Sequence, residues 1–249
     1  MVGFNLQPEP RIVSDLAELH RAGADEFIRC AREAISARGR FVVSLAGGST
    51  PKGAYALTAG DQKDPAKRLP WDKIHLFFSD ERNVPPDDKE SNYRMANESL
   101  LSKVPVPTEN VHRIPAELDP STAATQYEAE LRNFFKPKPG DWPRFDLIML
   151  GMGPDGHTAS LFLGSTALNE NSRWVVANWV EKFKTYRITF TFPVINHAAE
   201  VMFLVAGEDK APALKEVLQG KEDVYPSQRV RLIDGRLLWV VDKAAAKLL

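Results

Sequence analysis

The segment FDLIMLGMGPDGHTASLF, residues 145–162, runs from an apolar stretch into Gly151, Gly153 and Gly156 and then His157. A neutral imidazole in such a place can take a proton from water, because its unperturbed pKa lies near operating pH. The glycines also spell G-x-G-x-x-G, the opening of a dinucleotide site. Asp155 would then set negative charge against a pyrophosphate, and the nearest acidic residue downstream, Glu181, ends no clean second strand. The better reading is a glycine-lined floor that lets a small substrate approach while His157 is presented at a helix start. Its bland alternative is a histidine satisfied by the backbone.

Two further segments carry charge or anion-binding chemistry. In IHLFFSDERNVPPDDKESNYR, residues 74–94, an apolar strand delivers Asp80, Glu81 and Arg82 to its C-terminal end, the edge where open α/β sheets bind ligands. Arg82 offers a planar fork for a carboxylate, a phosphate or a developing oxyanion, and Asp80 can orient a base. A solvated salt-bridge cluster is the competing reading. Ser91 and Asn92 are placed to cap the helix that follows, and Asn92 is also assigned to the substrate-binding set. In FVVSLAGGSTPKGAYAL, residues 41–57, a buried strand ends in Gly47, Gly48, Ser49 and Thr50, and Pro51 suits a first helical turn. Free amides at that helix start make an anion site suited to phosphate. Ser49 and Lys52 also spell the S-x-x-K of serine acylases, but no S-D-N or K-T-G accompanies them.

Those loops need elements to hold them. Apolar positions from Leu16 to Ile35 recur at helical spacing, which predicts a long helix over 15–38 with Ser14 as N-cap and Gly39 as stop. Compact apolar runs at 41–46, 74–79, 145–150, 174–180, 201–206 and 237–241 read as mostly buried strands. Helical stretches at 51–58, 92–102, 121–135 and 209–219 lie between them, and alternation of this kind implies parallel strands joined by crossovers. RITFTF, residues 187–192, alternates apolar and polar side chains, and its polar face suggests a cleft. The Pro/Lys stretch 136–140 is too short to mark a boundary. The expectation is one α/β domain over 1–249, a mostly parallel sheet flanked by helices.

Composition narrows the classes of function. The chain has 249 residues, 32 Lys+Arg against 33 Asp+Glu, 43% hydrophobic and 26% charged residues, which is ordinary globular composition with a net charge of −1. That balance argues against a nucleic-acid or membrane-surface partner. The lone cysteine, Cys30, sits among helically spaced apolar residues and reads as core, consistent with a reducing compartment. The N-terminal MVGFNLQPEP lacks the pattern of a leader, and no apolar run reaches the roughly 18 residues of a membrane span. A cytoplasmic protein is expected. His20, His75, His112 and His197 show no metal-ligand spacing, so no metal site is expected.

Four blocks together, LAGGSTP, FFSDERNVPPDDKESNYR, LGMGPDGHTASLF and RITFTFPVINHAAEVMFLVAGEDKAPALKEVL, resemble the signature segments of the 6-phosphogluconolactonase family, in family order, over about residues 40–249. The resemblance implies a Rossmann-like single domain related to glucosamine-6-phosphate deaminases and ribose-5-phosphate isomerases. It implies hydrolysis of 6-phosphoglucono-1,5-lactone to 6-phosphogluconate without a cofactor, in the oxidative pentose phosphate pathway, with a functional link to glucose-6-phosphate dehydrogenase. Carried over by position, the family's catalytic histidine falls on His157, its D-E-R arginine on Arg82, its strand arginine on Arg187 and its phosphate-side lysine on Lys210. Leu163 departs from the family's usual proline at the exit of a turn.

On this reading His157 is the base, Asp155 or Asp80 orients it, and Arg82 receives the carbonyl charge. The Gly47 to Thr50 amides, Arg187 and Lys210 hold the phosphate. Deaminases of the same fold resemble this loop with a glutamate where this chain has Phe162, which cannot relay protons, and with D-E-Y in place of D-E-R. A sugar-phosphate sensor would carry a DNA-binding module, and the segment before residue 40 is too short for one.

Overall fold

The computed structural model describes residues 7–249; the reading of the N-terminal segment therefore falls partly on residues 1–6, outside the described residues. The chain begins with strand β1 (Arg11–Val13) and helix α1 (Leu16–Arg38), followed by β2 (Phe41–Leu45), α2 (Ser49–Asp61) and β3 (Ile74–Phe78). Next come β4 (Asp80–Arg82), α3 (Asn92–Ser99), α4 (Pro120–Phe135) and β5 (Leu147–Leu150). β6 (Val175–Val180), β7 (Thr185–Phe190), α5 (Phe192–Asn196), β8 (Glu200–Val205), α6 (Ala211–Gln219) and β9 (Arg236–Asp242) complete it.

Six strands form one wholly parallel sheet in the order β1-β9-β8-β5-β2-β3. Every residue of β2, β5 and β8 is buried, as expected of central strands covered by helices on both faces. Because the strands are parallel, β2, β5 and β8 all end at one edge. The loops after them, carrying Gly47 to Thr50, Gly151 to His157 and Gly207 to Lys210, therefore emerge side by side.

The α/β class and the six buried runs agree with the sequence expectation, with one difference in pairing. The runs at 174–180 and 187–192 do not join the parallel sheet: β6 and β7 form an antiparallel hairpin, and β4 adds to β7 to make a second, three-stranded sheet. The DER triplet is therefore itself a strand. The polar side of RITFTF contributes Arg187 to a cavity, in keeping with the expected cleft, while Thr189 on the same face is fully buried and accepts a bond from the Ser160 amide at 3.2 Å.

Helix α1 starts one residue later than expected. Asp15, not Ser14, is its N-cap, accepting from the Glu18 amide at 2.9 Å, while the Ser14 amide donates back to Glu18 at 3.0 Å. A carboxylate next to a hydroxyl wins because it accepts without having to donate. Gly39 ends the helix in the left-handed region, φ 77°, its amide bonded to the Ile35 carbonyl. Cys30 is buried, as its spacing implied. Among the described residues no helix is long and apolar enough to cross a membrane.

Candidate active site

Strand β2 ends where Tyr55, fully buried in α2, bonds both the amide and the carbonyl of Ala46 at 2.8 and 3.0 Å. The chain then turns at Gly48, which is the N-cap of α2 with φ 100°, a conformation that favours glycine. No side chain caps this helix and its first turn holds no acidic residue, so the amide end and its dipole face outward. A side chain at Gly47 would collide with Asn92, whose Oδ1 would lie 1.9 Å from the added carbon. Asn92 in turn donates to the carbonyl of Asp80 at 2.9 Å and to its carboxylate at 3.3 Å. It thus ties the anion loop to β4.

Of the three charges in the DER strand, Glu81 has a structural task. It is buried and accepts from the amides of Arg82, Asn92 and Tyr93 and from the Ser91 hydroxyl, at 2.7 to 3.0 Å, anchoring the start of α3. Burial still pushes its pKa above the ordinary value, against the effect of those bonds. Ser91 is the N-cap of α3, as expected. Arg82 leaves β4 toward the cavity, one of its Nη atoms bonded to the Glu90 carbonyl.

Directly across the antiparallel pair stands Arg187. Its guanidinium lies 5.1 Å from the ring centre of Phe183, and burial lowers its pKa from the usual guanidinium value. Among the described residues neither arginine is bonded to a carboxylate. Lys210 stands at the opposite wall, paired with Asp209, and both line the cavity.

His157 follows β5 by the glycine run, but no helix begins there: residues 154–162 are turns and isolated bridges. This corrects the expected helix start, and it removes the dinucleotide reading, which needs a helix N-terminus against the pyrophosphate. Gly153 is required for packing, since a Cβ there would sit 2.1 Å from the imidazole. The ring donates from Nδ1 to Asp155 Oδ1 at 2.5 Å, and Asp155 Oδ2 meets Lys182 Nζ at 2.9 Å. The bond to His157, helped by Lys182, holds the Asp155 carboxyl well below the usual carboxylate range despite partial burial. An ionised carboxylate only accepts, so Nδ1 carries the hydrogen and the neutral ring keeps its lone pair on Nε2. Phe162 stacks on the imidazole, centroids 4.0 Å apart and planes 22° from parallel.

These parts enclose a cavity of about 440 Å³ lined by Gly47, Gly48, Ser49, Thr50, Asp80, Arg82, Asn92, His157, Arg187 and Lys210. Asp155 lies behind His157, and of the two candidate orienters it is the one bonded to the ring. Asp80 instead accepts from Ser160 Oγ at 2.6 Å, so it braces the histidine loop. Lys52, the second half of the S-x-x-K pattern, is exposed. Sequence reasoning missed Lys182, Ser160 and Asp209; only Asp209, beside Lys210, had a visible signal. Among the described residues the one group with metal-ligand spacing is Glu26, Cys30 and Glu200. Arg29 and Arg236 already occupy its carboxylates.

The family model for glucosamine-6-phosphate isomerases/6-phosphogluconolactonase matches residues 14–239. A 6-phosphogluconolactonase of Nostoc sp. is 42% identical over 94% of this chain and 95% of its own. One of Rattus norvegicus is 39% identical over 97% and 95%. Among solved structures, 6-phosphogluconolactonase from Trypanosoma cruzi superposes with TM-score 0.85 and 28% identity, covering 98% of this chain and 97% of that one. A monomeric glucosamine-6-phosphate deaminase shares the fold, with TM-score 0.80, 18% identity and coverage of 97% and 100%.

Proposed function

Because the chain belongs to the glucosamine-6-phosphate isomerase/6-phosphogluconolactonase family and is a lactone hydrolase of the 6-phosphogluconolactonase kind, we propose that its cavity opens 6-phosphoglucono-1,5-lactone with His157 as the general base. The observation that carries this reading is the Asp155–His157 pair facing the same cavity as two arginines and an uncapped helix start.

The chemistry follows from those groups. A lactone is an ester, and water attacks its carbonyl carbon as Nε2 of His157 removes a proton. The carbonyl oxygen takes up the electron pair, and Arg82 stabilises that charge. When the tetrahedral species collapses, the C1–ring oxygen bond breaks and the imidazolium returns its proton to the leaving oxygen. The product is the open-chain acid, ionised at neutral pH, and the enzyme is restored. No covalent intermediate is needed. Asp155 keeps the imidazole in the Nδ1–H tautomer and stabilises its protonated form.

At the other end of the sugar, the amides at the start of α2, Arg187 and Lys210 hold the phosphate dianion. Lys210 exchanges Asp209 for phosphate when substrate enters. Binding energy from this remote group positions the carbonyl against the base. The substrate is a product of glucose-6-phosphate oxidation, so a functional link to glucose-6-phosphate dehydrogenase and action in the cytoplasm form part of this proposal. The reading is tested by generating the lactone with that dehydrogenase and following its disappearance with and without this protein, against spontaneous hydrolysis. Unchanged decay would overturn it.

A further inference from the structure

The turn between β6 and β7, residues 181–184, lies outside the cavity wall, yet two of its side chains reach groups that the mechanism uses. Phe183 is 46% exposed, and the buried part of its ring is in contact with two other side chains. One side of the ring receives the guanidinium of Arg187 at 5.1 Å. Its edge meets Phe162 at 5.8 Å and 83°, and Phe162 is the ring stacked on His157. The neighbouring residue, Lys182, holds the free oxygen of Asp155 at 2.9 Å, while its ammonium lies 5.5 Å from the Phe183 ring centre.

We infer that Phe183 and Lys182 are positioning residues: through ring contacts and one ion pair, this turn fixes the phosphate-side Arg187 and the Asp155–His157 base relative to each other. The inference rests on the roles given above to His157 and Arg187.

Physical reasons favour coupling over coincidence. Arg187 has a long side chain with no carboxylate bonded to it among the described residues, so stacking on Phe183 is what limits its rotamers before substrate arrives. The imidazole is bonded at Nδ1 and stacked by Phe162, and Phe183 braces that second support. Both contacts depend on an aromatic ring: an aliphatic side chain of similar volume fills the space but offers no π-face to a cation and no edge to a ring. The tight turn keeps the two side chains together, since Lys184 closes it in the left-handed region at φ 50°.

The test is steady-state kinetics of the full-length protein on the phosphorylated lactone, with Phe183→Ala, Phe183→Leu, Phe183→Tyr, Lys182→Met and Lys182→Arg. Phe183→Ala and Phe183→Leu are expected to raise KM about three- to tenfold through Arg187 and to lower kcat by a similar factor through His157. Phe183→Tyr restores both. Lys182→Met lowers kcat with little change in KM, and Lys182→Arg restores it. Thermal midpoints within about 2 °C of wild type are expected, because both side chains sit at an exposed turn. If Phe183→Leu matches wild type in both constants, or Phe183→Tyr fails to rescue, the inference is wrong. Arg187→Ala and His157→Gln serve as controls: if they are themselves unimpaired, the underlying mechanism fails, whereas if they are impaired and the turn variants are not, only the positioning role fails.

Discussion

Arg82 and Arg187 occupy opposing positions on the antiparallel pair β4–β7, both lining the cavity and neither bonded to a carboxylate among the described residues. Burial makes the Arg187 cation costly to keep, while the attraction of Asp80 and the repulsion of Arg82 act on it in opposite senses. Both arginines line the cavity, and on the proposed function it is an anionic substrate that meets them there.

Arg187→Met is therefore expected to act in two directions. Removing a charge-assisted contact to the dianion costs about 1.5 to 3 kcal/mol, roughly a ten- to hundredfold rise in KM, with a smaller effect on kcat. The same change removes a buried cation and should raise the thermal midpoint by about 2 to 4 °C. For the wild-type protein, unphosphorylated gluconolactone should be a poor substrate. Equal kcat/KM for the two lactones would remove the phosphate pocket from this cavity.

His157→Ala should lower kcat by about 10² to 10⁴-fold with little change in KM. A thermal melt of the variant separates catalysis from folding. A folded His157→Ala protein with near-normal kcat would move the base elsewhere, with Asp80 the next carboxylate in the cavity wall.

Asp155→Asn tests the orienting bond. The Asp155 carboxyl titrates below the usual range, so its ionised form, and any stability it adds, is present through the neutral range and lost only as pH falls through that lowered value. An amide at this position offers a donor as well as an acceptor and loses control of the tautomer, so kcat should fall roughly tenfold or more with KM nearly constant. Unchanged kcat would show that His157 is held by Gly153 and Phe162 alone.

Glu200 gives a pH dependence of stability far from the cavity. Burial first, then Glu26 beside it, pushes its pKa up to about 7, while Arg29 and Arg236 pull the other way. A carboxyl whose folded value is raised binds its proton more tightly in the folded state, so its contribution is present at low pH and lost as pH rises through about 7. Glu200→Gln should consequently gain thermal stability relative to wild type as the buffer is moved from pH 5.5 to pH 8. Melting curves of the pair at several pH values decide it; a difference that shrinks over that range contradicts the assignment.

Activity should survive chelation, because the proposed step asks only for a base and fixed cations. An assay in EDTA that loses activity and regains it with a divalent ion would replace this mechanism with a metal-assisted one.

Much of the site was legible in the residues themselves. Gly47 to Thr50 before a helix, Arg82 at a strand end and His157 after a glycine run each announce a chemistry by type and spacing, and the structure brings them into one cavity. Periodicity located the buried strands to within one or two residues, since central parallel strands must be apolar on both faces. What chain order could not convey was pairing: the alternation in RITFTF shows which side chains share a face, and the apolar run WVVANWV shows burial, but neither says which strand lies alongside.

The sequence by itself determined the α/β class, the anion loop and the identity of the candidate base, because these depend on local periodicity, glycine placement and the chemistry of single side chains. The tertiary structure alone decided that Asp155 and not Asp80 is bonded to His157, that Glu81 anchors α3, that no helix starts at His157, and that Lys182 and Phe183 reach Asp155 and Arg187 from a distant turn. The reason is physical. A hydrogen bond or a ring stack is fixed to within a few tenths of an ångström by where two backbones are carried, and that placement is set by the packing of both sheets together rather than by any segment alone.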